Sequence, residues 1–144
     1  MLSNTSKYAI RATIYLALHA RGDEKVGIKK ISGDLNIPSP FLAKILQTLV
    51  KKKMLASTKG PNGGFSLLKD ARKITLYEIV TTIDGNDIFD KCLISMRTCH
   101  EEDTPCPVHN QYEPIRAGIM KLFQEQTIND LANDIRLHDR VIAL

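Results

Sequence analysis

Apolar side chains between Lys7 and Ala20 fall at Tyr8, Ala12, Tyr15 and Leu16, with Ile10, Ile14 and Leu18 on the remaining faces. That spacing predicts a helix buried around most of its circumference. Asn4, Thr5 and Ser6 precede it as candidate caps, and Arg21-Gly22-Asp23 ends it. Ile28, Ile31 and Leu35 mark one face of a short helix that Asn36-Ile37-Pro38 breaks. A second helix opens with Ser39 as N-cap and Pro40 at its first position, where a missing N–H costs nothing. Its apolar stripe is Phe41, Leu42, Ile45, Leu46, Leu49 and Val50, leaving Lys44, Gln47, Thr48 and Lys51 off the stripe. Two short helices around a tight turn, the second with a polar and basic outer face, make the helix-turn-helix pattern.

The period then changes. Met54–Thr58 and Phe65–Leu68 read as short strands around Lys59-Gly60-Pro61-Asn62-Gly63-Gly64, whose glycines allow positive φ and close approach to another surface. A hairpin directly after such a helix predicts a wing. Thr75-Leu76-Tyr77-Glu78 has the capping-box form and starts a helix through Ile79, Val80 and Ile83 that Gly85 ends. Residues 86–109 show no sustained period and are expected to form a loop. From Asn110 to Gln126 a stripe of Tyr112, Ile115, Ile119, Leu122 and Phe123 returns, with Asn110-x-x-Glu113 as a second capping-box form. A short helix from Thr127 carries Leu131 and Ile135 on one face. The expected fold class is mainly α with a small β-hairpin wing: a winged helix-turn-helix over 1–85, a cysteine-containing loop over 86–109, and a long helix plus a C-terminal helix over 110–144.

Charge separates the two halves. Residues 1–73 carry a balance of +10 and residues 74–144 a balance of −6, although the whole chain is only +4. A basic half suits a polyanion such as double-stranded DNA, although two oppositely charged surfaces could also dock on each other. The candidate DNA-facing residues are Ser39, Pro40, Lys44, Gln47 and Lys51 on the second helix and Lys59, Gly60 and Asn62 in the wing. Lys51, Lys52 and Lys53 have a second explanation, because cations at a helix C-terminus offset its dipole without any ligand. A winged helix can also serve as a protein-interaction module with no DNA target. No Ser/His/Asp set, nucleotide loop or paired carboxylate argues for an enzyme. No apolar run approaches the ~18 residues that a membrane span needs. The opening residues lack the layout of a signal peptide, so a cytoplasmic location is expected.

In a reducing compartment three cysteines are free thiols or metal ligands rather than a disulfide framework. Cys92, Cys99 and Cys106 are separated by six residues each, and His109 lies three beyond Cys106. A helical first turn at 106–109 would place Cys106 and His109 on one face, at a helix N-terminus that favours an anionic centre. Three thiolates and one imidazole fit zinc or an iron–sulfur cluster. Bare redox thiols, or ordinary loop cysteines with no role, remain alternatives. His100, Glu101, Glu102 and Asp103 are rival ligands, whereas His19 and His138 read as a helix-end and a surface residue.

On these features the chain resembles the Rrf-two type of bacterial regulator, to which the IscR and NsrR kinds belong. The likeness is carried by Lys7-Tyr8-Ala9-Ile10-Arg11-Ala12, by Ile37 to Leu49, by Lys59-Gly60-Pro61-Asn62-Gly63-Gly64-Phe65, and by Cys92, Cys99, Cys106 and His109. It runs from residue 2 to about 132. The resemblance implies a transcription regulator that forms a homodimer through the helix at Asn110–Gln126, with one recognition helix and wing on each half-site. It also implies an iron–sulfur cluster whose presence or damage changes DNA affinity. A histidine three residues after the last cysteine is the IscR pattern; the NsrR kind uses an aspartate near the start of the first helix, where Lys7 stands. The resemblance therefore favours a 2Fe–2S over a 4Fe–4S centre, with zinc less favoured. Two departures stand out. Each cysteine gap is one residue longer than is typical of the IscR kind, and the wing arginine is replaced by Lys59.

Overall fold

The computed structural model describes residues 1–99 and 106–138. Helix α1 (Asn4–His19) starts earlier than the apolar period alone indicates. Ser3, not Asn4 to Ser6, caps it: the Ser3 hydroxyl accepts from the Ser6 N–H at 3.0 Å and donates to Asp84 at 2.6 Å. Its middle runs through the core, with Ala9, Ala12 and Leu16 wholly buried.

Helices α2 (Ile28–Leu35) and α3 (Ser39–Lys51) form the expected pair. The turn between them uses Asn36 in the left-handed region at φ 53°, a conformation its short polar side chain tolerates. Ser39 is not the N-cap. Pro38 occupies that place and makes no side-chain bond, Ser39 opens the helix, and Pro40 stands second. The inner face of α3 is Leu42, Ile45, Leu46 and Leu49, each at most 3% exposed. Burial of this kind stabilises by roughly 1.5–3 kcal/mol per side chain, which anchors α3 by its apolar side and frees the other. Phe41 departs from the expected stripe; it is 40% exposed and meets Tyr8 edge-on with ring centres 5.7 Å apart.

Lys53, at φ 60°, reverses the chain after α3. Strands β1 (Leu55–Thr58) and β2 (Gly64–Leu67) pair antiparallel, Leu55 opposite Leu67 and Thr58 opposite Gly64. A bridge between Val26 and Phe65 ties the segment before α2 to the hairpin, with N–H···O distances of 2.9 and 2.8 Å. It explains Gly64, while the hairpin turn itself explains Gly63. A Cβ on Gly64 would stand 2.5 Å from the Val26 carbonyl oxygen, and one on Gly63 would stand 2.1 Å from that of Thr58.

After a 3-10 turn at Ala71–Lys73, helix α4 (Leu76–Asp84) begins at Thr75, whose hydroxyl accepts from the Glu78 N–H at 3.1 Å. The Glu78 carboxylate binds Lys69 at 2.8 Å. Residues 86–109 are not a plain loop: α5 (Asp87–Asp90) forms one helical turn, because Phe89 is buried between Tyr77 and Phe123. Helix α6 (His109–Glu125) starts at His109 rather than Asn110, and Val108 replaces the expected Asn110 cap, while Glu113 turns to Arg116. Its stripe also divides. Ile115 and Leu122 are 60% and 52% exposed, whereas Arg116 is buried.

Helix α7 (Ile128–His138) begins with a reciprocal cap: Thr127 and Asp130 bond each other's backbone N–H at 3.1 Å. Main-chain bonds from Leu76 to Gln126 and from Ile128 to Ile74 set α7 against the 3-10 turn, and it packs across α1. The C-terminal helix therefore closes the core of the N-terminal lobe. No helix among the described residues is long and apolar enough to cross a membrane.

Candidate DNA interface and cysteine cluster

The turn of the helix-turn-helix is held from beneath. Arg11, 9% exposed, donates from Nη2 to the Leu35 carbonyl at 3.1 Å, and the Ser32 hydroxyl donates to the Ile37 carbonyl at 2.5 Å. The Tyr15 hydroxyl donates to Asp34 at 2.5 Å. Burial, then that bond to a carboxylate, pushes the Tyr15 hydroxyl far above its ordinary range. These contacts fix α2 against α1 and thereby aim α3. No local period marks Arg11 as the brace of this turn; the signal in the sequence is an arginine inside a largely apolar helix.

On α3, Lys44, Gln47 and Lys51 are exposed and, with Ala43 and Thr48, line one shallow concave face. Pro40 is exposed and Ser39 half-buried. Thr48 spends its hydroxyl on the Lys44 carbonyl at 2.9 Å. At the wing tip Lys59, Gly60 and Asn62 are exposed, and Gly60 takes φ 102°. Neither the polar face of α3 nor the hairpin tip is covered by another described part of the chain.

The cysteines converge as a second site. A bridge between Lys91 and Thr98 closes the stem of their loop. Cys92 N–H donates to the Arg97 carbonyl and Cys99 N–H to the Asp90 carbonyl, both at 3.0 Å. Cys92 Sγ and Cys106 Sγ are 3.2 Å apart. The backbone N–H of Ile94, the Cys106 thiol and the N–H of Ser95 together pull the Cys92 thiol down to about 7. Its proximity as a thiolate pushes the Cys106 thiol up. Cys99 lies within reach of Cys92 and of the Arg116 guanidinium.

His109 is half-buried at the first position of α6, and its N–H donates to the Cys106 carbonyl at 2.9 Å. His100, Glu101, Glu102 and Asp103 lie outside the described residues. Among the described residues no three Cys, His, Asp or Glu side chains form a metal-holding set. The donor chemistry nevertheless suits a thiolate-bound centre: three gathered sulfurs, one of them already acidic, beside a buried cation. Arg116, buried beside Cys99, is the residue of this cluster that the local pattern did not single out. Its signal was a charge four residues after Tyr112 and three before Ile119, inside the apolar stripe.

The family model of Rrf2, described as an iron-dependent transcriptional regulator, matches residues 2–134. A protein of Aquifex aeolicus (strain VF5), named as an HTH-type transcriptional regulator, is 39% identical over 134 residues, with 92% of each chain covered. The HTH-type transcriptional regulator IscR of Yersinia enterocolitica is 28% identical over 133 residues, covering 92% of this chain and 79% of IscR. Among solved structures, CymR, the global cysteine regulator of B. subtilis, superposes with a TM-score of 0.79 at 21% identity, covering 92% of this chain and 96% of CymR. By the match over nearly its whole length, the chain belongs to the Rrf2 family, whose members are transcription regulators and not enzymes.

Proposed function

We propose that the chain is a homodimeric, DNA-binding regulator that places α3 in the major groove and the wing on the flanking backbone. Ser39, Lys44 and Gln47 would approach base edges with Pro40 beside them, and Lys51, Lys59, Gly60 and Asn62 the phosphates. Its DNA affinity is set at the cysteine site, where Cys92, Cys99 and Cys106 with His109 would hold an iron–sulfur cluster, 2Fe–2S in preference. When bound, such a cluster supplies a redox-, oxidant- and nitric-oxide-sensitive charge. The observation that carries this reading is that Cys92 meets Cys106 just before α6 with Cys99 within its reach, beside a helix that presents Ile115 and Leu122 to solvent. A partner copy on that face would link each thiol site to two recognition helices. To switch convincingly the two states must differ in DNA binding by a few kcal/mol.

The contact between Cys92 and Cys106 favours a second reading, a thiol switch without a cluster. The Cys92 thiolate would attack a peroxide, gaining an oxygen as sulfenic acid while hydroxide leaves. The Cys106 thiol would then displace water to form a disulfide. Anaerobic purification with iron, sulfide and zinc analysis separates the two. Stoichiometric iron and sulfide are expected; an iron-free protein that gains one Cys92–Cys106 disulfide with peroxide rejects the cluster. No measurable affinity for DNA even at low salt would reject the DNA-binding reading itself.

A further inference from the structure

Arg116 is the buried residue of α6, 3% exposed on a helix otherwise half-buried or exposed. Hiding a guanidinium is costly unless its donors are satisfied. Here they are divided between the stem of the cysteine loop and a carboxylate of α6. Nη1 donates to the Asp90 carbonyl at 3.1 Å and reaches that of Lys91 at 3.5 Å, while Nη2 pairs with Glu113. The Asp90 carbonyl also accepts from Cys99 N–H at 3.0 Å, so one oxygen joins the start of the loop, the backbone of a candidate sensor cysteine and the guanidinium. The Cys99 side chain itself lies within hydrogen-bonding reach of Arg116. The neighbouring residue, Ile115, points the other way and is 60% exposed.

We propose that Arg116 is the positioning residue of the thiol site: it locks the stem of the cysteine loop onto α6 and transmits the loop's chemical state to that helix. The idea rests on the sensor reading of Cys92, Cys99 and Cys106. Methionine keeps an unbranched apolar stem, is shorter and loses both charge and donors; lysine keeps the charge without the planar fork.

The test compares the full-length protein with Arg116→Lys and Arg116→Met by residue-resolved hydrogen exchange and by DNA affinity. In Arg116→Met, exchange at the Cys99 N–H should accelerate by about tenfold or more, with α3 and the wing unchanged and the lysine variant intermediate. The ratio of DNA affinities between reconstituted and chelator-stripped protein should fall toward one in Arg116→Met, with the stripped affinity retained, and recover in part with lysine. Unchanged exchange at Cys99, an unchanged affinity ratio, or uniform acceleration across the whole chain would overturn the proposal. Should Arg116→Met not fold, Arg116→Lys decides by the same readouts. The exchange comparison needs no cluster, so a protein that holds none counts against the sensor reading and leaves the role of Arg116 to be decided by exchange.

Discussion

Lys59 and Cys92 show how much of the proposed activity falls on single side chains. Lys59 stands exposed beside Gly60, where backbone freedom lets an ammonium approach a phosphate closely. Replacing it with alanine is expected to weaken DNA binding by about 1–3 kcal/mol and to lower the salt slope by about one, read from titrations at several salt concentrations. An unchanged affinity would take the wing out of the interface. Cys92 is a test of local electrostatics. Two backbone N–H groups and the Cys106 thiol favour its thiolate and bring it down to about 7. In the metal-free protein its alkylation rate should therefore rise with pH and level off above about 7. A rate still climbing steeply at pH 9, followed by mass spectrometry of its peptide, would contradict the geometry of that loop.

Among the elements, the hairpin is the one most dependent on a contact outside itself. β1 and β2 are short, and two strands alone are marginal in water. Val26 pairs with the other edge of β2 through Phe65, and Gly64 is the residue that lets the two backbones meet. Gly64→Ala should cost about 2–3 kcal/mol, since it combines strain at φ 146° with a backbone collision. Urea unfolding measures this. A loss under ~0.5 kcal/mol would mean that the bridge does not hold the wing.

At the scale of the whole molecule, charge and apolar surface are segregated. The basic balance of residues 1–73 lies in the lobe that carries α3 and the wing. The exposed apolar residues of α6, Ile115 and Leu122, are seven apart and share a face suited to a second copy of the chain. Leu122→Glu is expected to convert a dimer into a monomer in sedimentation equilibrium. It should also weaken DNA binding by at least tenfold, because two linked half-sites become independent. A variant that stays dimeric would move the interface elsewhere.

Much of this was legible in the residues. The α3 stripe and the exposed positions of Lys44, Gln47 and Lys51 follow from a 3.6-residue period, and the wing follows from its glycines. The convergence of the cysteines was legible only as a concentration of thiols. Several errors share one cause. Ser39 lost the cap to Pro38, Asn110 lost it to Val108, and Phe89 drew a helical turn out of a segment without periodicity. In each case a tertiary contact or the local chain path outweighed a weak local preference.

The order of residues by itself determined the long helices, the hairpin and the charged halves, because these depend on neighbours a few positions apart along the chain. It did not determine which side of α6 turns inward, so that Arg116 is buried and Ile115 exposed. Nor did it bring Cys92 to within 3.2 Å of a sulfur fourteen residues away, or seat α7 on α1. Those outcomes were decided by the assembled core, since burial and through-space contact depend on how distant segments close on one another, which no local period records.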